Sequence, residues 1–194
     1  VVLDPVELEI TNYPEGKNEI LTAENNQEDS SYGTREVSFS KNLFIEREDF
    51  KEEFNRKYFR LSIGKEVRLK NGYIIMGDSV EKDKNGKITK ILCTYDPKSR
   101  SGSGTEESLR KVKGTIHWVD KNNHEMIDIN LYDRLFKIQS PDENKEVDFK
   151  TYINENSLIK VKNVCAESSI KKFSFENYYQ FQRKGYFKLD SKNE

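Results

Sequence analysis

Apolar and polar residues alternate along most of this chain, and that alternation predicts strands. VELEITNY sets Val6, Leu8 and Ile10 against Glu7, Glu9 and Thr11. REVSFS turns Val37 and Phe39 inward, and MIDINLYDRLF does the same with Ile127, Ile129 and Leu131. GTIHWV, LIKVKNV, FENYYQFQ and GYFKLD complete a second series of strands. Pro14-Glu15-Gly16-Lys17 predicts a turn with a return strand from Glu19, and residues 23–34 an exposed loop. Asn85-Gly86 between two alternating runs is a strong hairpin signal. The helical period shows near Glu48–Lys57. There Phe50, Phe54 and Tyr58 share a stripe, while Glu52/Arg56 and Glu53/Lys57 pair outside it.

The stretch from Phe59 to Asp83 predicts a strand, a tight turn at Gly64-Lys65 and a longer strand. In the longer strand Val67, Leu69, Tyr73 and Ile75 face the core, and Arg68, Lys70, Ile74 and Met76 the other side. Arg60, Arg68 and Lys70 then share one sheet surface, suited to bases or phosphates. A solvated face dressed with cations to discourage edge pairing has the same pattern, and taken alone the run favours that reading.

Residues 96–111 are Ser/Gly-rich and predict a mobile loop or linker. The chain thus divides into residues 1–110 and 111–194, each with enough short strands for a small barrel or sandwich, with strands free to cross between them. The fold class is mainly β, with a short helix.

Composition narrows the function. Among 194 residues, 33 Lys and Arg meet 34 Asp and Glu, for a net charge of −1. Any nucleic-acid surface is therefore a local patch, not a polycation's field. The 11 Phe and 10 Tyr supply anchors that a disordered chain lacks. Cys93 and Cys165 have no partner at metal-ligand spacing, which predicts no zinc site and reduced thiols. No apolar run approaches the roughly 18–20 residues of a membrane span, and no signal peptide is visible. The first residue is Val, so the chain reads as an excised piece. His117 and His124 lack HxxH or HExxH spacing, and His117 reads as a sheet histidine. Neither a phosphate loop nor a serine or cysteine nucleophile motif is present, so no catalytic site is expected.

YYQFQRKGYF is the second informative stretch. Tyr179 and Phe181 fall on one side, Tyr178, Gln180 and Gln182 on the other, with Arg183-Lys184-Gly185 as the turn. Gln and Arg can bond a base edge and aromatics can stack a base, although an aromatic core strand ending in a solvated turn fits equally well.

VVLDPVELEITNY, FIEREDF, RLSIGKEVRLKNGYII, KVKGTIHWV, INLYDRLF and YQFQRKGYFKLD occur in this order along almost the whole chain. The series resembles the C-terminal anticodon-binding region of the glutaminyl-tRNA synthetases, class I aminoacyl-tRNA synthetases. KVKGTIHWV and LYDRLF are closer to that family than to the related glutamyl-tRNA synthetases, which stand as the alternative. The resemblance implies two small six-stranded β-barrels, the first akin to a ribosomal-protein barrel, that hold unstacked anticodon bases at their junction. On matching positions it implies anticodon contacts from Arg60, Arg68, Gln180 and Arg183, with Gln180 on the central uracil. Lys70, Asn71 and Phe59 are implied as supporting contacts.

Three departures accompany the match. Phe59 stands where the family can carry a lysine, a family arginine would precede Val1, and the family continues past the LDS stretch with a further strand. The resemblance further implies a monomeric, cytoplasmic glutamine–tRNA ligase whose partner is the tRNA(Gln) anticodon loop. ATP with Mg would act in a separate catalytic domain, with no cofactor held here. A free-standing RNA-binding barrel, and a secreted protein- or carbohydrate-binding module, are the other classes. The second motif series argues against the former, and the lack of a disulfide framework or signal peptide against the latter.

Overall fold

A computed structural model describes residues 1–54 and 57–190. Its strands are β1 (Pro5–Ile10), β2 (Glu19–Glu24), β3 (Thr34–Phe39), β4 (Asn42–Glu46), β5 (Glu66–Leu69), β6 (Ile74–Lys82) and β7 (Ile88–Tyr95). A short helix, α1 (Glu106–Leu109), follows. After it come β8 (Thr115–Ile116), β9 (Trp118–Asp120), β10 (His124–Tyr132), β11 (Leu158–Glu167), β12 (Tyr178–Phe181) and β13 (Gly185–Lys188). The mainly β class holds.

Seven strands form one sheet in the order β8-β5-β6-β7-β1-β4-β9. Its outermost members, β8 and β9, are separated only by His117, so the two ends of the sheet meet in one stretch of chain. That makes a nearly closed barrel. GTIHWV is therefore a strand that changes partner midway: Ile116 runs parallel to Leu69 of β5, and Trp118 antiparallel to Ile45 of β4. Inside lie Leu8, Ile10, Leu43, Ile45, Leu69, Ile75, Ile91 and Ile116, where the alternation put them for β1 and β5. Phe39 is fully buried among the rings of Tyr13, Tyr73 and Trp118, with centroids 5.1–5.3 Å away.

Several sequence expectations change. The return strand from Glu19 pairs with β3, because both edges of β1 are taken by β4 and by a parallel β7. Ala23 and Glu24 belong to that strand, and Ala23 is buried. The segment from Val67 to Ile75 is no single strand. Asn71 adopts a left-handed φ of 58°, Leu69 N–H donates to Tyr73 O at 2.8 Å, and the chain folds back as the β5–β6 hairpin. Ile74 is consequently buried, beneath the loop that follows β7. The tight turn at Gly64-Lys65 is present, with Gly64 at φ 68°.

The helix expected at 48–57 is replaced by a three-residue 3-10 turn, Arg47–Asp49, and then extended backbone at Phe50. Two backbone bonds to Leu61 explain this: Leu61 N–H donates to Asp49 O and Lys51 N–H to Leu61 O. A helix would spend those groups internally. Phe50 is buried and Phe54 exposed, so they share no stripe. Glu52 pairs with Lys82 at 2.7 Å, and the expected Arg56 contact lies outside the described residues. The described α-helix is instead α1, capped by Thr105 Oγ1, inside the Ser/Gly-rich stretch.

Among the described residues, the strands after β9 pair as two ladders, β10–β11 and β12–β13. Between them Ile129, Val164, Ala166 and Phe181 form a separate core, with Phe173, Tyr179 and Phe187 packed against it. The rings of Phe173 and Tyr179 stack, as do those of Phe181 and Phe187 at 4.4 Å. Val2, bridged to Cys165, and Val119 make a third small cluster that ties this region to the barrel.

Candidate nucleic-acid interface

β12 and β13 are joined by a turn in which Arg183 takes φ 62° and Gly185 φ 132°. A non-glycine residue in that region persists only where its surroundings fix it. Here the fixing group is Asp49, a fully buried carboxylate at the end of the 3-10 turn after β4. Arg183 donates Nη1–H to Asp49 Oδ1 at 2.9 Å and Nη2–H to Oδ2 at 2.5 Å. Arg60 Nη1 lies 2.8 Å from the same Oδ1. Each arginine side chain remains about one-third exposed, at 31% for Arg183 and 35% for Arg60. Two of the sequence-singled cations thus meet on one acid across 134 residues of sequence separation.

Around this pair the charges balance. Lys184 Nζ sits 3.2 Å from Glu46 and 3.1 Å from Glu48. Its pKa is raised, since those carboxylates outweigh a burial that alone would lower it. Lys184 in turn holds the Glu48 carboxyl below its ordinary range. Glu46 is itself buried and accepts the backbone N–H of Leu3 and Asp4. An open cleft beside Arg60 is lined by Glu48, Lys51, Tyr58 and Phe59. Phe59 is 47% exposed and carries the ammonium of Lys113 5.6 Å from its ring centre.

Gln180 is exposed on the outward face of the β12–β13 ladder, as the alternation required, while Phe181 is buried. The register adds two residues that sequence reasoning passed over. Tyr186 stands directly opposite Gln180, and Lys188 opposite Tyr178, with its ammonium 5.0 Å from that ring. The alternation in GYFKLD contained the signal, but reading it required the register. Glu48 and Asp49 were also missed, having been assigned to a helix, as was Glu46 in the stretch leading into it.

Arg68 does not join this group. It donates to the carbonyls of Ser99 (3.0 Å), Ser108 (2.8 Å) and Arg110 (3.3 Å) and to Ser101 Oγ (3.2 Å). The loop after β7 is thereby wrapped round one guanidinium, and Ser99 is fully buried beneath it. Burial first, and then the charge of Arg110, lower the Arg68 pKa. Lys70 lies elsewhere again. Burial lowers its pKa, with the charge of Arg35 adding to this and Glu167 and Glu24 opposing it. Arg35 itself bridges the two regions through Glu167 at 2.7 Å. The single surface expected for Arg60, Arg68 and Lys70 is thus three environments, because the β5–β6 hairpin and the loop over it intervene. Asn71, half-buried, sits at the tip of that hairpin.

His117 is half-buried, and desolvation there pushes its pKa well below the ordinary value. A neutral imidazole between β8 and β9 is a packing element.

Arg68→Ala is expected to loosen the loop it organises. Amide exchange at Ser99 and Ser101 should accelerate by the equivalent of about 1.5–3 kcal/mol, the usual worth of hydrogen bonds to a charged group. Unchanged exchange at both amides would show that the loop holds itself.

Among the described residues no group of three His, Cys, Asp or Glu side chains gathers as for a metal ion, and no helix is long and apolar enough to cross a membrane.

Two family models described as "tRNA synthetases class I (E and Q), anti-codon binding domain" match residues 1–96 and 115–190. The chain is 46% identical over 190 residues to a glutamine–tRNA ligase of Rhodopirellula baltica, covering 97% of this chain and 31% of that protein. Glutamine–tRNA ligases of Proteus mirabilis and Clostridium perfringens are each 49% identical over 189 residues, covering 97% of the chain and 33% and 34% of those proteins. The chain spans about a third of the length of these relatives.

Proposed function

Since the chain belongs to the anticodon-binding domain family of class I tRNA synthetases (E and Q), we propose that it reads the anticodon of tRNA(Gln). The observation that carries this is the meeting of Arg60 and Arg183 on buried Asp49, beside an open cleft, with exposed Gln180 on the same hairpin as Arg183. Unpaired bases are recognised by polar groups held at fixed positions and by rings that stack on them. Gln180 reads the central base, with Arg60 and Arg183 contributing guanidinium edges. Phe59, Lys70 and Asn71 support the loop, Phe59 by stacking. Arg68 contributes by exchanging loop carbonyls for a base edge. The division into residues 1–110 and 111–194 is functional on this reading: each part supplies one side of the site.

The names of the relatives extend the proposal to the whole protein. It is a glutamine–tRNA ligase in which chemistry, with ATP and Mg, takes place in another domain. We place it in the cytoplasm as a monomer. The glutamyl enzyme is the weaker reading, since the relatives above are glutamine–tRNA ligases.

The test is binding to anticodon stem-loops at low and moderate salt, using the glutamine anticodon and its single-base variants. The chain should prefer the glutamine loop, and Arg60→Ala or Gln180→Ala should each cost about 1–3 kcal/mol and relax discrimination. Equal, salt-sensitive binding to every loop would reduce the surface to phosphate attraction and sink the proposal.

A further inference from the structure

We propose that Asp49 is a specificity-determining positioning residue: it aims the guanidinia of Arg60 and Arg183 and offsets one of their two charges. The proposal rests on the anticodon-reading function above. Both oxygens of Asp49 are committed, Oδ2 to Arg183 and Oδ1 to Arg183 and Arg60 together. The Arg183 fork meets the carboxylate end-on, through Nη1 and Nη2, so its plane and its remaining N–H edges are fixed before any RNA arrives. The left-handed backbone at Arg183 fits the same account, for that turn aims the side chain back at Asp49.

Charge is the second half of the argument. Glu46, Glu48 and Asp49 face Arg60, Arg183 and Lys184, so the cluster carries three charges of each sign. A neutral cluster has little long-range pull on phosphate, yet both arginine side chains stay about one-third exposed and keep N–H groups not spent on Asp49. An arginine pair without the acid would bind any anionic strand. The acid thus turns two cations from phosphate binders into base readers, and it does so without touching the RNA itself.

The experiment compares the unmodified chain with Asp49→Asn on the stem-loop set across a salt series. Asparagine keeps the shape and removes the charge. Binding to all loops at low salt should tighten, with a log–log salt slope steeper by about 0.7 for each cation released to a single strand. Preference for the glutamine loop should fall about tenfold. A variant with undiminished preference and an unchanged slope overturns the proposal. So does uniform weakening on all loops, which marks a purely structural acid. If the variant does not fold, as judged by its thermal transition, arginine side-chain NMR of the unmodified chain decides. Slowly rotating, resolved Nη signals for Arg60 and Arg183 support the fixed geometry, and averaged signals overturn it. Absence of any preference in the unmodified chain shows that anticodon reading itself has failed, and this inference with it.

Discussion

Phe39→Ala is expected to destabilise the chain by about 3–5 kcal/mol, the usual cost of emptying a buried aromatic site. Phe39 has no solvent exposure and is met edge-on by Tyr13 and Trp118 and obliquely by Tyr73. Those three rings come from three separate segments, so no local shift can refill the space. The last strand of the barrel supplies Trp118, whose indole N–H donates to Lys70 O at 2.9 Å. Loss of Phe39 therefore weakens the seam as well as the core. Urea unfolding followed by tryptophan fluorescence reads the change directly. A loss below about 1 kcal/mol would mean that the site collapses freely and is not the rigid cluster described.

Gly114→Ala should act on both stability and binding. A Cβ at this position would stand 2.3 Å from Phe59 O, 3.0 Å from Phe59 C and 3.1 Å from Val67 Cγ1. The first two are backbone atoms, so relief requires the chain at Phe59 to move. The neighbouring Arg60 would be carried with it, away from Asp49. Gly114 O also accepts the Arg68 N–H at 2.8 Å, so retreat on the other side breaks the start of the β5–β8 pairing. Overpacking of this kind costs about 1–3 kcal/mol, or more where the obstacle is backbone. In a chain of this size that lowers the melting point by about 2–4 °C for each kcal/mol. Calorimetry and stem-loop binding on the same preparation separate the two effects. Wild-type melting together with wild-type preference for the glutamine loop would rule out the tight contact.

The sequence was most legible where a local rule decided the outcome. Val6, Leu8 and Ile10 alternate and are buried, and Asn85-Gly86 closes the β6–β7 hairpin with Gly86 at φ 80°. The ordered motif series, from VVLDPVELEITNY to YQFQRKGYFKLD, pointed to the family that the comparisons show. Partner choice was not legible. Nothing within β1 says that its parallel neighbour is β7, or that the strand beginning at Glu19 belongs to β3. The helix expected at 48–57 rested on a four-residue spacing of aromatics, which is sound for an isolated segment. It was overridden because the backbone at Asp49 and Lys51 bonds to Leu61 instead, while the Asp49 side chain is held by a residue 134 positions away. The same distance hid the organisation of the site. Arg60 and Arg183 could both be singled out by residue type, but not the acid that joins them. Arg68 looked equivalent to Arg60 until the loop from Ser99 to Arg110 was seen to enclose it.

The meeting of β8 and β9 has a consequence for the order of synthesis. β4 and β5, the strands flanking the seam, can be made early, but their partners lie in Thr115–Asp120. Until a ribosome has released that segment, the barrel has two unsatisfied rims, each a row of unpaired backbone groups open to another chain. Its final contacts join residues some seventy positions apart, as between Ile45 and Trp118, and pairings so distant in sequence form slowly. The nascent protein thus passes through a vulnerable interval in which most of the barrel's strands are made but the barrel is still unsealed. Two residues before His117 and three after it end that interval, which makes Thr115–Asp120 the clasp of the barrel.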